Sequence, residues 1–241
     1  SGSGTSRTRL TTHKASDIYP RLNRGCTRVA FASDRTGNYE IFAMNRDGSG
    51  VTQLTGRIGA DVKPAWSPDG QRIAFQSYSD GQAEIYVMNA DGSAVQRLTS
   101  HPAYDGEPTW SPDGKQLAFS SNRSGSYSIW IMDSNGANPR QLTYQPYSEN
   151  PTWSPDGTRI AYDADGDRNG WQELWVINTN GTDAQAVYIP GEPQTDAWAG
   201  SWSPDAQSLI CTRISFVKYD GTWYWLNAYM VVWEAGNASI V

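Results

Sequence analysis

Short apolar runs separated by polar turns recur along most of the chain. In the best-defined runs the apolar residues are consecutive, as in Ile73-Ala74-Phe75 and Leu117-Ala118-Phe119. A strand with apolar residues on both faces must be covered on both sides, so these runs predict small sheets that stack face to face. Taking residues 63–99 as the type unit, we predict four strands, A to D, at 63–67, 71–77, 83–89 and 95–99.

The residues between the predicted strands are typical of tight β-turns. Ser67-Pro68-Asp69-Gly70, between A and B, places proline where φ is about −65° and glycine where a positive φ is needed. Asn89-Ala90-Asp91-Gly92, between C and D, contains the Asp-Gly pair that favours a tight hairpin. The four strands of each unit are therefore predicted to be antiparallel neighbours.

The turn between A and B marks a repeat of 44, 43 and 49 residues. A degenerate copy precedes the others, with Leu22 where they have tryptophan. Four-stranded units of this length that stack in a ring are the blades of a β-propeller. The tryptophans of the other four copies are Trp66, Trp110, Trp153 and Trp202.

The two ends of the chain predict how the ring closes. Arg9-Leu10-Thr11 matches the strand D sequence Arg97-Leu98-Thr99, whereas the fifth copy stops soon after its C–D turn. We therefore predict an all-β, five-bladed β-propeller of four-stranded antiparallel blades, closed by the N-terminal strand, which completes the last blade. The alternative is an open fragment of a six- or seven-bladed ring, which would leave two large apolar faces in water.

The repeat also predicts the domain boundaries. Ser1-Gly2-Ser3-Gly4 is typical of an artificial linker, so we expect residues 1–6 to be a tail and residues 7–241 to be one domain. The predicted blades are about 17–55, 61–99, 105–143, 148–188, and 196–241 together with 7–11.

Composition and charge narrow the possible functions. The chain carries 19 Lys and Arg residues against 25 Asp and Glu residues, a formal net charge of −6. Binding to a phosphate backbone needs a dense basic surface, so no nucleic acid partner is expected. No apolar run approaches the roughly 18 residues that span a bilayer, so membrane insertion is not expected. Cys26 and Cys211 are at positions unsuited to a bridge, and we expect no structural disulfide.

The repeat resembles that of a known family. Pro64-Ala65-Trp66-Ser67-Pro68-Asp69-Gly70, followed by Ile73-Ala74-Phe75 and Ile85-Tyr86-Val87-Met88-Asn89, is similar to the TolB-type propeller repeat, also described as WD-repeat-like. The resemblance covers nearly all of residues 7–241 and implies the propeller fold. Such repeats occur in the periplasmic TolB protein, in oligopeptidases, in some lyases and in bacterial sensor proteins, so the resemblance implies no single activity. It implies a bacterial, extracytoplasmic protein, either periplasmic or secreted.

One candidate ligand site lies on the top rim, where the B–C and D–A loops meet. These loops vary most in blades four and five, and they carry tryptophans that are extra to the repeat. Aromatic rings beside carboxylates suit sugar rings or cationic groups. Alternatively, the longer loops need an aromatic cluster only to stay ordered. The candidate residues are Trp171, Trp198, Trp223, Asp163, Asp165 and Asp167.

A second candidate site is a ring of acids at the mouth of the central channel, which strand A lines. Repulsion between carboxylates raises their pKa values unless a cation compensates, and oxygen ligands at this density suit Ca²⁺ or Mg²⁺. Alternatively, each acid accepts hydrogen bonds from its own loop, and the protein needs no cofactor. The five acids are Asp17, Asp61, Asp105, Glu149 and Asp196.

These features predict a non-enzymatic, monomeric binding module that presents its top rim and channel mouth to a protein, a peptide or a glycan. A glycosidase-like enzyme is the alternative, because two channel carboxylates could act as acid and base. Against an enzyme, the carboxylates occupy repeated positions instead of unique ones. A purely structural propeller is the third possibility.

Overall fold

The computed structural model describes residues 8–166, 172–187, 195–219, 222–234 and 237–240, and it describes side chains for 8–166, 172–187 and 200–210. All regular structure in these ranges is β, and it forms five four-stranded antiparallel sheets. The predicted all-β class and four-stranded blades are confirmed. Within the same ranges, no helix is long and apolar enough to cross a membrane.

Each sheet uses four consecutive strands of the chain, hydrogen-bonded in the order A, B, C, D. Strand D is only two residues long in the first four blades, much shorter than predicted. Blade one contains β1 (Asp17–Leu22), β2 (Arg28–Ser33), β3 (Glu40–Asn45) and β4 (Thr52–Gln53); blade two β5 (Asp61–Trp66), β6 (Arg72–Asp80), β7 (Gln82–Asn89) and β8 (Gln96–Arg97); blade three β9 (Asp105–Trp110), β10 (Gln116–Ser121), β11 (Ser128–Asp133) and β12 (Arg140–Gln141); blade four β13 (Glu149–Trp153), β14 (Arg159–Ala164), β15 (Glu173–Asn178) and β16 (Gln185–Ala186); blade five β17 (Thr195–Trp202), β18 (Ser208–Tyr219), β19 (Thr222–Glu234) and β20 (Asn237–Ile240).

Blade five corrects the prediction that the N-terminal strand completes the ring. Its fourth strand is β20, which pairs with the end of β19, and residues 8–16 contain no strand. The sequence Ala235-Gly236 leaves only a short connection between β19 and β20. Closing such a short loop costs far less chain entropy than pairing with residues more than 200 positions away, which explains the local choice.

The N-terminal segment nevertheless packs as a strand D end does. Gly92 has φ +88°, and a Cβ built on it would lie 2.7 Å from the carbonyl oxygen of Leu54 in the preceding blade. Gly48 has the same φ, and its Cβ would lie 2.6 Å from the carbonyl oxygen of Leu10. Only glycine allows so close an approach at this backbone conformation. Leu10 therefore takes the place against blade one that Leu54 takes against blade two.

Neighbouring blades are held together by apolar clusters that span the gap between sheets. Consecutive apolar residues in strand B, such as Ile73 and Phe75 on one face and Ala74 on the other, supply both sides, as the sequence predicted. Small alanines of one blade face large side chains of the next. One cluster, for example, joins Ala30, Ala32, Ile41, Ala43 and Leu54 of blade one to Ile73, Phe75, Tyr86 and Met88 of blade two.

The repeat tryptophans also connect neighbouring blades. Trp110 Nε1 donates a hydrogen bond of 3.1 Å to the carbonyl oxygen of Ala65 in the preceding strand A, and Trp66 donates likewise to Arg21. The Arg72 guanidinium lies over the Trp110 ring, 4.6 Å from its centroid. Trp153 differs, because its buried indole nitrogen has no hydrogen-bond partner among the described residues. Trp202 keeps the bond and donates to the carbonyl oxygen of Thr152 at 3.1 Å.

This difference provides a test of the inter-blade hydrogen bond. Trp110→Phe should lower the free energy of unfolding by about 1 kcal/mol more than Trp153→Phe, because both changes remove similar volume but only the first removes a hydrogen bond. Urea unfolding followed by circular dichroism measures both values. Equal losses in the two variants would show that the indole bond contributes nothing to stability.

Candidate functional site

The A strands of all five sheets line one central cavity of about 660 Å³. Strand A is the inner edge of each sheet, so its backbone needs no hydrogen-bond partner on the channel side. The repeat prolines are tolerated there for the same reason. Charged residues in the cavity wall are Arg21, Arg24, Lys63, Glu107 and Asp163.

A left-handed residue stands directly before the repeat proline in each of the first four A strands. Each has φ between 53° and 57°, and each lies at a break in the A–B strand register. This conformation costs a non-glycine residue about 1 kcal/mol or more, and such strain is concentrated at functional sites. In blades two to four this residue lines the channel. The four left-handed residues are Tyr19, Lys63, Glu107 and Asn150.

All four residues belong to one connected network centred on the Lys63–Glu107 ion pair. Lys63 Nζ lies 3.0 Å from Glu107 Oε1 and 4.5 Å from the centroid of the Tyr19 ring. Glu107 Oε2 accepts hydrogen bonds from Ser120 Oγ at 2.8 Å and from the backbone N–H of Asn150 at 2.9 Å. The network therefore links blades one to four around the channel.

Strand B contributes a second set of channel residues. Asn150 Nδ2 donates to Asp163 Oδ2 at 2.9 Å, and the backbone N–H of Glu107 donates to Gln76 Oε1 at 3.2 Å. The prediction that Asp163 belongs to a top-rim loop is thus wrong. Asp163 lies in β14, fully buried from solvent, because β14 continues its pairing with Glu149 and Leu174.

Four tyrosines surround the upper end of this network, where strand A begins. Tyr104 Oη donates to Gln76 Oε1 at 3.0 Å, and Gln76 Nε2 donates to Tyr78 Oη at 2.8 Å. The Tyr104 and Tyr127 rings pack edge to face with centroids 5.4 Å apart. Burial, and secondarily Glu107, raises the pKa of Tyr104, so its phenol stays a neutral donor. We call Tyr19, Tyr78, Tyr104 and Tyr127 the tyrosine mouth.

The predicted ring of acids does not form the channel wall. Asp17 makes an ion pair of 2.8 Å with Arg35, and Asp105 makes one with Arg123. Asp61 and Asp105 are fully buried, and neither is among the residues that line the central cavity. Their position at the start of strand A is as predicted.

Glu149 and Asp61 have carboxyl groups with raised pKa values, and neither forms an ion pair with an arginine among the described residues. Burial, followed by the charge of Glu107, raises the pKa of Glu149, which accepts a hydrogen bond of 3.4 Å from Gln172. Burial raises the pKa of Asp61 to about 6. The fifth acid of the predicted ring, Asp196, lies in β17, and its side chain is outside the described part of the chain.

The predicted top-rim residues are distributed differently. Asp165 is buried and lines a cavity of about 510 Å³ with Tyr127 and Tyr147. Trp171 and Asp167 lie outside the described residues. The predicted loop positions of the remaining two tryptophans are wrong: Trp198 lies in β17 and Trp223 in β19, with side chains outside the described part.

The long strands of blade five explain that error. The segment predicted as a loop continues as the paired strands β18 and β19. It is rich in aromatic and β-branched residues such as Phe216, Val217 and Trp225, which favour strands. Because these two strands are longer than those of the other blades, Trp223 lies within a strand.

The proposed metal at the channel mouth remains a prediction. Among the residues that the structure describes, no group of three or more His, Cys, Asp or Glu side chains is arranged to hold a metal ion. Cys26 is an exposed free cysteine.

Sequence reasoning missed the left-handed residues and the tyrosine mouth. The residue before the repeat proline differs between the first four copies, so it does not stand out as a recurring motif. Variation at one position within an otherwise regular repeat was the sequence feature that could have indicated these residues, since the fold does not fix the residue type there.

Five four-stranded sheets around a central channel with a charged lining define a β-propeller. The family described as the TolB beta propeller domain matches residues 56–165 and 108–220, which together exceed half of the chain. The chain therefore belongs to this family.

Similar solved structures share the fold at low sequence identity. A TolB-type protein from Agrobacterium tumefaciens is 18% identical, with 96% of this chain and 82% of that chain covered and a TM-score of 0.76. TolB from Acinetobacter baumannii is 21% identical (97% and 55% covered, TM-score 0.74). An oligogalacturonate lyase in complex with manganese is 16% identical (96% and 68% covered, TM-score 0.70). No curated protein matches the sequence.

Proposed function

We propose that this domain is a non-enzymatic binding module that takes a segment of another protein into its tyrosine mouth. The observation that carries the proposal is the Lys63–Glu107 ion pair beside four tyrosines, at left-handed positions where the residue type differs from blade to blade. Tyrosine offers a rigid apolar ring with a polar tip, a combination enriched at protein interfaces.

Two features favour a polypeptide over a glycan. Lys63 and Glu107 offer a cation and an anion side by side, and the hydroxyls and the Gln76 amide can bond backbone groups of an extended segment. The Tyr104 and Tyr127 rings pack edge to face on each other, so their faces are not both free to stack on a sugar. A glycan that binds at this place would therefore count against the proposal.

The ion pairs and burial of the predicted channel acids favour binding over catalysis. Asp17 and Asp105 are engaged by Arg35 and Arg123, and Asp61 is shut off from solvent. Carboxylates in these states are poorly placed to flank a glycosidic bond. The solved relatives include a lyase as well as TolB proteins, so turnover of oligogalacturonate is the activity to assay first.

The binding proposal is tested by peptide display on the wild-type domain, followed by measurement of the selected peptides. Lys63→Ala and Tyr104→Ala should weaken binding by about tenfold or more, as expected for central interface residues. Tyr144→Ala is the matched control, because Tyr144 is an exposed tyrosine in the D–A loop outside the mouth. Equal effects of all three changes, or selection of a glycan instead, would overturn the proposal.

A second variant separates loss of the site from loss of the fold. Gly106 lies against Tyr104 and Gln76, and a Cβ at Gly106 would fall on the Tyr104 hydroxyl. The φ of Gly106 is not in the left-handed region, so alanine is tolerated by the backbone. Gly106→Ala should displace Tyr104 and reduce peptide affinity while leaving the melting temperature within about 2 °C of wild type.

We also propose that the domain acts outside the cytoplasm. The support is membership of the TolB beta propeller family, whose repeat was first noted in the sequence. Fractionation of cells that express the full natural gene product would test the location.

A further inference from the structure

Two of the acids at the strand starts are neutralised by an arginine 18 residues further along. Asp17 pairs with Arg35 in blade one, and Asp105 pairs with Arg123 in blade three. In blade three, Arg123 Nε also donates to Ser121 Oγ at 3.1 Å, and the same bond in blade one is 2.9 Å long. The repeat thus builds a slot for a cation between an aspartate and a serine.

Blade two has this slot without its arginine. Asp61 and Ser77 are present, but Ser79 stands where the arginine of the other blades would be. Asp61 is fully buried, and neither of its carboxylate oxygens has a hydrogen-bond partner. Ser77 Oγ interacts with Ser79 Oγ at 2.8 Å instead.

A second buried acid beside Asp61 also lacks its cation. Glu40 is 2% exposed and accepts a hydrogen bond of 2.6 Å from Thr55 Oγ1. The equivalent acid one repeat later, Glu84, is held by Arg97 at 2.6 Å. Gln53 replaces that arginine in blade one, and its amide donates to the carbonyl oxygen of Thr55.

The pair Glu40 and Asp61 and the equivalent pair one repeat later, Glu84 and Asp105, therefore differ in net charge. Glu84 and Asp105 are balanced by two guanidinium groups, whereas Glu40 and Asp61 have none within ion-pair distance among the described residues. The nearest candidate, Arg57, is exposed and lies over the Tyr86 ring, 4.5 Å from its centroid. Two negative charges are thus left between blades one and two.

We propose that Asp61 and Glu40 bind a divalent cation, Ca²⁺, between blades one and two. The donors are all oxygen: two carboxylates with the hydroxyls of Thr55 and Ser77. Oxygen-only donors favour a hard cation, and Ca²⁺ accepts irregular geometry that Mg²⁺ does not. With only two charged ligands, the affinity should lie in the millimolar range typical of weak extracellular calcium sites. This site is independent of the peptide site proposed above.

Thermal unfolding with CaCl₂ and with EDTA at pH 7.5 and equal ionic strength tests the site. Ca²⁺ at about 5 mM should raise the melting temperature of the wild type by about 3 °C or more. Ser79→Arg supplies the arginine of the other blades, so it should raise the melting temperature in EDTA and abolish the response to Ca²⁺. Asp91→Asn, which removes a carboxylate from an exposed turn, should keep the full response.

A melting temperature of the wild type that does not change with Ca²⁺, or an equal increase in Ser79→Arg, would overturn the proposal. Asp61→Asn should also lose the response. Titration calorimetry of the wild type with CaCl₂ gives the same answer without any variant, in case a substitution prevents folding.

Discussion

Replacing Arg123 by methionine should lower the free energy of unfolding by about 3–5 kcal/mol, the cost of removing one partner from a buried ion pair. Arg123 is the sole ion-pair partner of Asp105, a fully buried acid, among the described residues. The Arg123 guanidinium also lies over the Trp130 ring, 4.9 Å from its centroid. Methionine keeps most of the apolar contact but leaves the Asp105 charge uncompensated. Urea titration at pH 7.5 measures the loss.

The double variant Arg123→Met with Asp105→Asn is the control for this result. It removes both charges, so it should regain most of the stability lost in the single variant. Arg46→Met, at an exposed position, should change stability by less than about 0.5 kcal/mol. A double variant no more stable than Arg123→Met would show that packing, and not charge, determines the loss.

Replacing Asp61 by asparagine should raise the free energy of unfolding, in contrast to the loss expected for Arg123→Met. The pKa of Asp61 is raised from 3.8 to about 6 by burial, so its ionisation in the folded state costs about 3 kcal/mol at neutral pH. In EDTA at pH 7.5, Asp61→Asn should therefore be more stable than the wild type by a comparable amount. The neutral amide retains the shape of the side chain without the buried charge.

The pH dependence distinguishes this cause from simple repacking. A raised carboxyl pKa means that the folded state holds the proton more tightly, so the wild type is favoured below pH 3.8 and loses that advantage as the pH rises to about 6. The gain from Asp61→Asn should be near zero at pH 4 and reach its full size above pH 6. A gain of the same size at pH 4 and pH 7.5 would contradict the assignment to Asp61 ionisation.

The architecture could be predicted because it repeats. The copies of blades two to four each combine a Pro-Asp-Gly turn, a consecutive apolar strand such as Ile73-Ala74-Phe75 and a second glycine turn, and all three features fix the same four-stranded unit. The last strand could not be predicted in the same way. Leu10 does pack like the end of strand D, but β20 competes for the pairing through a much shorter loop.

The candidate site could be predicted only in part. The position of Asp61 and Asp105 at the start of strand A follows from the repeat, but the register break that follows each of them is not marked by any turn residue. Lys63 and Glu107 contact each other across two blades, 44 positions apart in sequence. A contact of this kind depends on how neighbouring blades pack, so the sequence of one repeat does not predict it.

The side chain of the left-handed residue before the repeat proline can vary without a change in the strands that carry it. The four strands of the sheet follow the same order whether this residue is Tyr19, Lys63, Glu107 or Asn150. Exchange of side chains at these four positions should therefore alter specificity one blade at a time, at little cost in folding. A propeller built in this way can acquire new partners through single substitutions, much as an antibody does through its loops.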